Sequence, residues 1–112
     1  MKIAFTSKGT EWESMMDPRF GRAEFLLLFD DESNEFLNYD NRKIAEVAHG
    51  AGPQTAQKLF DFHPDVLITG NGPGGNAATV LEKSGVKIYI GAGEMTVKQA
   101  FDAYNKNDLK KL

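Results

Sequence analysis

Four short segments of this sequence carry the residue types from which a binding site can be built. Gly70-Asn71-Gly72-Pro73-Gly74-Gly75 is richer in glycine than a tight turn needs, and glycine lets backbone N–H groups come close to a ligand. His49-Gly50-Ala51-Gly52-Pro53 sets an uncrowded imidazole among glycines. It is suited to ligating a soft or borderline metal, or else is a surface histidine making a local hydrogen bond. Arg19-Phe20-Gly21-Arg22 places two guanidinium groups about a glycine, either an anion-facing pair or ordinary surface arginines. A fourth segment opens at Gly91, where a plain tight turn is an equally good reading.

Catalytic signals are poor beside these. No Ser-His-acid spacing stands out, and the apolar runs carry no interior carboxylate that could hold Mg²⁺ beside a second one. Gly70 to Gly75 formally matches G-x-G-x-x-G, with Glu94 near the spacing for a ribose contact, but the second half of a dinucleotide fold is missing. No G-x-x-x-x-G-K-[ST] occurs, which sets aside a P-loop NTPase. Asp17, Asp30, Asp31 and Glu94 read as solvated loop charges, and His63 as a cation at a helix C-terminus. Met15, Met16 and Trp12 offer either ligand or partner contacts, or side chains folded onto the edge of a core.

The elements that must position these segments follow from pattern. Lys2 to Ser7 and the doubly apolar Glu24 to Asp30 read as strands, the second joined to Asn34–Asp40 as a hairpin. From Gly52 the period becomes helical, with Pro53 at the first helical position, and this helix ends before His63-Pro64. Asp65–Thr69 is a strand, Asn76–Ser84 a helix closed by Gly85, and Val86–Ile90 a strand, together a right-handed βαβ unit. Thr96-Val97-Lys98-Gln99 is a capping box opening a last helix. Gly9 to Phe20 has no sustained period and reads as a mobile loop, while Asn105 to Leu112 reads as a fraying end. In a mixed sheet of this order the four candidate segments gather at one edge, where open α/β sheets bind ligands, and three helix N-termini point there. Such an edge prefers anions.

Length and composition agree with a single α/β domain over residues 1–112. With 13 Lys plus Arg against 16 Asp plus Glu, the net charge is -3, which disfavours general nucleic-acid binding. The absence of cysteine excludes disulfides, thiolate catalysis and a conventional cysteine-ligated iron-sulfur cluster. No apolar stretch approaches the roughly 20 residues of a membrane span, and the N-terminus does not read as a secretory signal. A cytoplasmic protein without membrane contact is expected.

At Asp17-Pro18-Arg19-Phe20-Gly21-Arg22-Ala23, His49-Gly50-Ala51-Gly52, Thr69-Gly70-Asn71-Gly72-Pro73 and Thr96-Val97 to Leu109, the chain resembles the dinitrogenase iron-molybdenum cofactor biosynthesis family over nearly its whole length. The resemblance implies a ribonuclease-H-like three-layer α/β/α fold, with a five-stranded mixed sheet of order 3-2-1-4-5 and strand 2 antiparallel. It also implies a non-enzymatic nitrogenase accessory factor-like domain, binding or carrying an anionic metallocluster of the iron-sulfur or iron-molybdenum cofactor precursor type, not covalently held. Cluster-assembly or acceptor proteins are its expected partners, and the chain itself is expected as a monomer or weak homo-oligomer. Onto this sequence the reading places His49 as metal ligand. Arg19, Gly21, Arg22, Gly50, Gly52, Gly70, Asn71, Gly72, Gly74, Gly75 and Gly91 form the anion cradle. The alternative is an enzyme or sensor that takes a phosphorylated small molecule or nucleotide in the same crevice.

Overall fold

The computed structural model describes residues 1–112. In chain order the elements are β1 (Lys2–Ser7), β2 (Phe25–Asp30), β3 (Glu35–Asp40), α1 (Arg42–Ala45), α2 (Ala51–Phe62), β4 (Val66–Ile68), α3 (Gly75–Ser84), β5 (Lys87–Ile90), α4 (Val97–Asn105) and β6 (Lys110–Lys111). They build one sheet of order β3-β2-β1-β4-β5-β6. β1 pairs antiparallel with β2 and parallel with β4, and β4 pairs parallel with β5. The expected 3-2-1-4-5 order and ribonuclease-H-like class are therefore present.

The sheet has six strands, not five, and the extra one lies where a fraying end is expected. Two lysines carry no periodic signal; β6 exists because Lys110 and Lys111 pair antiparallel with Ile90 and Tyr89, and the Leu112 N–H donates to the Ile88 carbonyl at 2.8 Å. A short lysine edge also discourages further strand addition.

Both faces of the sheet are covered, which is why β2 reads as apolar on both parities. On one face Ala4, Leu26, Leu28, Leu67 and Ile88 pack against Ala56 and Leu59 of α2 and Ala77 and Leu81 of α3. On the other, Ile3, Phe5, Leu27, Val66 and Ile68 pack against Val97 and Ala100 of α4 and against Met16. The helix ends behave as the sequence predicts: α2 stops at His63, whose φ is 51° ahead of Pro64, and α3 stops at Gly85 with φ 77°. The start of α2 differs: it begins at Ala51, two residues before the expected Pro53, and proline is tolerated as the third residue because the N–H groups of the first turn have no partner within the helix.

The largest departure concerns Gly9 to Phe20. This stretch is stitched down, not loose: the Lys8 N–H donates to Met15 O, Met16 N–H to Met95 O, Val97 N–H to Ser14 O and Lys98 N–H to Trp12 O, at 2.8 to 2.9 Å. Trp12 stacks on Phe36 with ring centroids 4.7 Å apart and meets Phe29 edge-on at 5.0 Å. Met16 is fully buried, and Asp17, expected as a solvated charge, is fully buried too. Periodicity misses such a segment because its contacts are to other elements, not along its own axis.

Candidate functional site

The topology gathers the carboxyl ends of β1, β3, β4 and β5 and the starts of α2, α3 and α4 at one sheet edge. Backbone fits tightly against backbone there. Gly21 lies directly against Gly52, and Pro18 is held between Gly70 and Gly93. The Asn71 N–H donates to Pro18 O, and the Gly91 N–H to Gly70 O, both at 2.9 Å. Pro18, Gly70, Asn71, Gly91, Gly93, Glu94 and Met95 line an open cleft of about 500 Å³.

Two of the three expected helix N-termini are open. α4 is closed on itself, since Thr96 accepts from the Gln99 N–H and the Gln99 side chain accepts from the Thr96 N–H. α2 has Gly50 and α3 has Gly74 at its N-cap, and neither has a side-chain cap. Their first turns are neighbours on the same face of the sheet: a Cβ placed on Gly52 would come 3.6 Å from the Ala77 Cβ. The positive ends of two parallel helix dipoles thus lie side by side; α3 presents its uncapped N–H groups, and α2 only those of Ala51 and Gly52, because Pro53 has none. Around Gly74 and Gly75 nothing lies within 4 Å of where a Cβ would stand, so this turn is open to an incoming group.

The arginines are less free than the sequence suggests. Arg19 closes on Asp17, and that carboxylate raises its pKa further. The Asp17 backbone is fixed in turn, its N–H on Thr6 O and its carbonyl on the Thr6 hydroxyl, which also bonds the Thr69 hydroxyl. Arg22 turns its guanidinium onto backbone carbonyls of Ala45, Val47 and Ala48. Arg19, Arg22 and Arg42 share a hollow of about 220 Å³ with Glu24 and Glu46.

The cradle residues therefore fall into connected groups. Gly70, Asn71 and Gly91 line the cleft; Gly74 and Gly75 open α3; Gly50 and Gly52 open α2 just after the exposed His49; Gly21 braces Gly52. Gly72, with φ 87°, faces Ile90 and Leu112 instead. No group of three or more His, Asp or Glu side chains is placed to hold a metal ion. Sequence reasoning missed Asn41 and Thr55, both fully buried: the Asn41 amide donates to Ala23 O and to the Thr55 hydroxyl, which donates to Gly21 O. Neither residue has a local signal, because each acts across the fold. Pro18, Gly93 and Met95 were likewise unassigned.

Fold and site together define a three-layer α/β/α domain with a glycine-lined crevice at the carboxyl edge of a ribonuclease-H-like sheet. The chain belongs to the dinitrogenase iron-molybdenum cofactor family, whose profile matches residues 1–107. It is similar to the apo form of the orange protein from Desulfovibrio gigas, with 31% identity, 99% of this chain and 92% of that chain covered, and a TM-score of 0.91. It is also similar to a Thermotoga protein solved by NMR and described provisionally as a NifB protein of the DUF35 family, with 36% identity, the same coverages of 99% and 92%, and a TM-score of 0.84. A comparison with curated protein sequences gives no significant match. No helix is long and apolar enough to cross a membrane.

Proposed function

We propose that this protein binds an anionic metallocluster of the iron-sulfur or iron-molybdenum precursor type at its carboxyl edge and carries it, performing no chemistry of its own, between cluster-assembly and acceptor proteins. The observation that carries this reading is the pair of uncapped, adjacent N-termini of α2 and α3, with His49 immediately before one of them. A cluster with a net negative charge is stabilised by both dipoles and by N–H groups donating to its sulfides. The His49 imidazole supplies one direct bond to a metal atom. Membership of the iron-molybdenum cofactor family supports the same cargo, and the open space beside Gly74 and Gly75 suits a body larger than a single ion.

Anaerobic titration with a synthetic [4Fe–4S] cluster bearing four thiolate ligands, followed by visible absorption, tests this reading. Wild type takes up one cluster per chain with loss of thiolate, and His63→Ala, at the far end of α2, does the same. His49→Ala loses affinity by about tenfold or more, since even outer-shell partners act on that scale. Binding of a nucleotide in a parallel titration, with no cluster uptake, would replace the cluster by a phosphorylated ligand in the same crevice.

A further inference from the structure

Resting on the ligand role proposed for His49, we infer that Arg22 is a positioning residue that holds the His49 segment in place, and not a group that meets the anion itself. Its Nη1 donates to Ala45 O at 2.7 Å and to Val47 O at 2.6 Å, and its Nη2 to Ala48 O at 3.4 Å. No backbone N–H reaches any of these three carbonyls. The remaining bonds of the segment are local: Ala45, Glu46 and Val47 donate back into residues 41 to 44, and Gly50 O accepts from Gln54. Arg22 is thus the one long-range polar tie on the five residues that lead to His49. Unlike Arg19 and Arg42, it forms no ion pair with a carboxylate.

The neighbouring residue grips the same segment from its other end. Gly21 abuts the backbone of Ala51 and Gly52, and its carbonyl accepts from the Thr55 hydroxyl on α2. Gly21 and Arg22 therefore hold residues 45–52 at both ends, with His49 between. A planar fork reaches these carbonyls from two nitrogens held in fixed directions; an ammonium gathers its three rotatable donors on one nitrogen at the end of a flexible stem and cannot occupy both positions.

That difference separates a brace from an attracting charge. Backbone order parameters of residues 45–50 in the protein without cluster, compared among wild type, Arg22→Lys and Arg22→Gln, read the brace directly. Both variants are expected to fall from about 0.85 toward 0.6 or below at residues 48–50, with β1 and β4 unchanged. In titrations with the synthetic [4Fe–4S] cluster, both lose roughly 10- to 100-fold in affinity, with little dependence on salt. Adding Arg22→Gln to His49→Ala costs nothing further, because the brace acts only through the imidazole. Wild-type affinity in Arg22→Lys, or losses that multiply in the double variant, would overturn the inference and put Arg22 on the anion. Unchanged order parameters would overturn it as well. If His49→Ala binds like wild type, the ligand assignment fails, while the order parameters still decide whether Arg22 orders the segment.

Discussion

Arg19 closes back on Asp17 with Nε and Nη2 each 3.0 Å from a carboxylate oxygen, and the Asp17 side chain is fully buried while that of Arg19 stays 54% exposed. The Arg19 N–H also bonds the same carboxylate at 3.0 Å. Removing the guanidinium leaves a buried charge with one backbone donor. Arg19→Ala is therefore expected to destabilise the fold by about 2 kcal/mol, less than a fully buried pair because one partner is wet. Combining it with Asp17→Asn recovers part of that loss, and a denaturant double-mutant cycle measures the coupling.

The same Asp-x-Arg turn recurs at Asp40-Asn41-Arg42, where Arg42 bonds Asp40 through its backbone N–H, Nε and Nη2. Hydrogen bonds from Arg42 hold the Asp40 carboxyl at a pKa of about 2, below its ordinary 3.8. A lowered folded-state pKa gives stability that is present above the unfolded value and lost as pH falls through the folded one. The stability gap between wild type and Arg42→Ala is therefore expected to narrow from about pH 4 to about pH 2, read from urea midpoints, and to stay constant above that window.

Gly21 and Gly75 make opposite predictions. At Gly21 a Cβ would stand 2.5 Å from the Gly52 nitrogen, so Gly21→Ala forces two backbone segments apart, at a cost of about 1 to 3 kcal/mol. At Gly75 a Cβ meets nothing within 4 Å. Gly75→Ala should leave stability unchanged or raise it by up to about 1 kcal/mol, while obstructing a ligand at the α3 N-terminus. Thermal midpoints alongside cluster titration separate the two effects.

Trp12, the one tryptophan, reports on the anchored Gly9 to Phe20 segment. Its ring touches Phe5, Phe29, Phe36 and Phe101. Blue-shifted emission and slow acrylamide quenching are expected without any ligand, and Trp12→Ala should cost about 3 kcal/mol. Red-shifted, freely quenched emission would mean the segment is loose after all.

Much of this architecture was legible because it is written locally. The Thr96 to Gln99 capping box, Gly85 in the left-handed conformation and the halt before Pro64 are each decided by a few neighbouring residues. The doubly apolar β2 announced a strand covered on both faces. What escaped depends on contacts distant in sequence. β6 needs Ile88 and Ile90 to exist, Asp17 is buried by Thr6 and Arg19, and the four-residue α1 has no buried side chain to mark it. At the carboxyl edge, the glycine-rich segments fall between the strands and the helix starts that follow them. That Arg22 is not free could not be read, because it spends its donors on carbonyls more than twenty residues away.

Paramagnetic broadening maps the cargo most directly: amide spectra of the uniformly labelled protein are recorded anaerobically before and after addition of one equivalent of the synthetic [4Fe–4S] cluster. Signals of residues 49–52 and 74–77 are expected to broaden first, followed by 17–22 and 91–95, while those around Trp12 and Tyr104 stay sharp. Broadening centred on Trp12 or Tyr104, or none at all while a nucleotide shifts residues 74–77, would contradict metallocluster binding at the carboxyl edge.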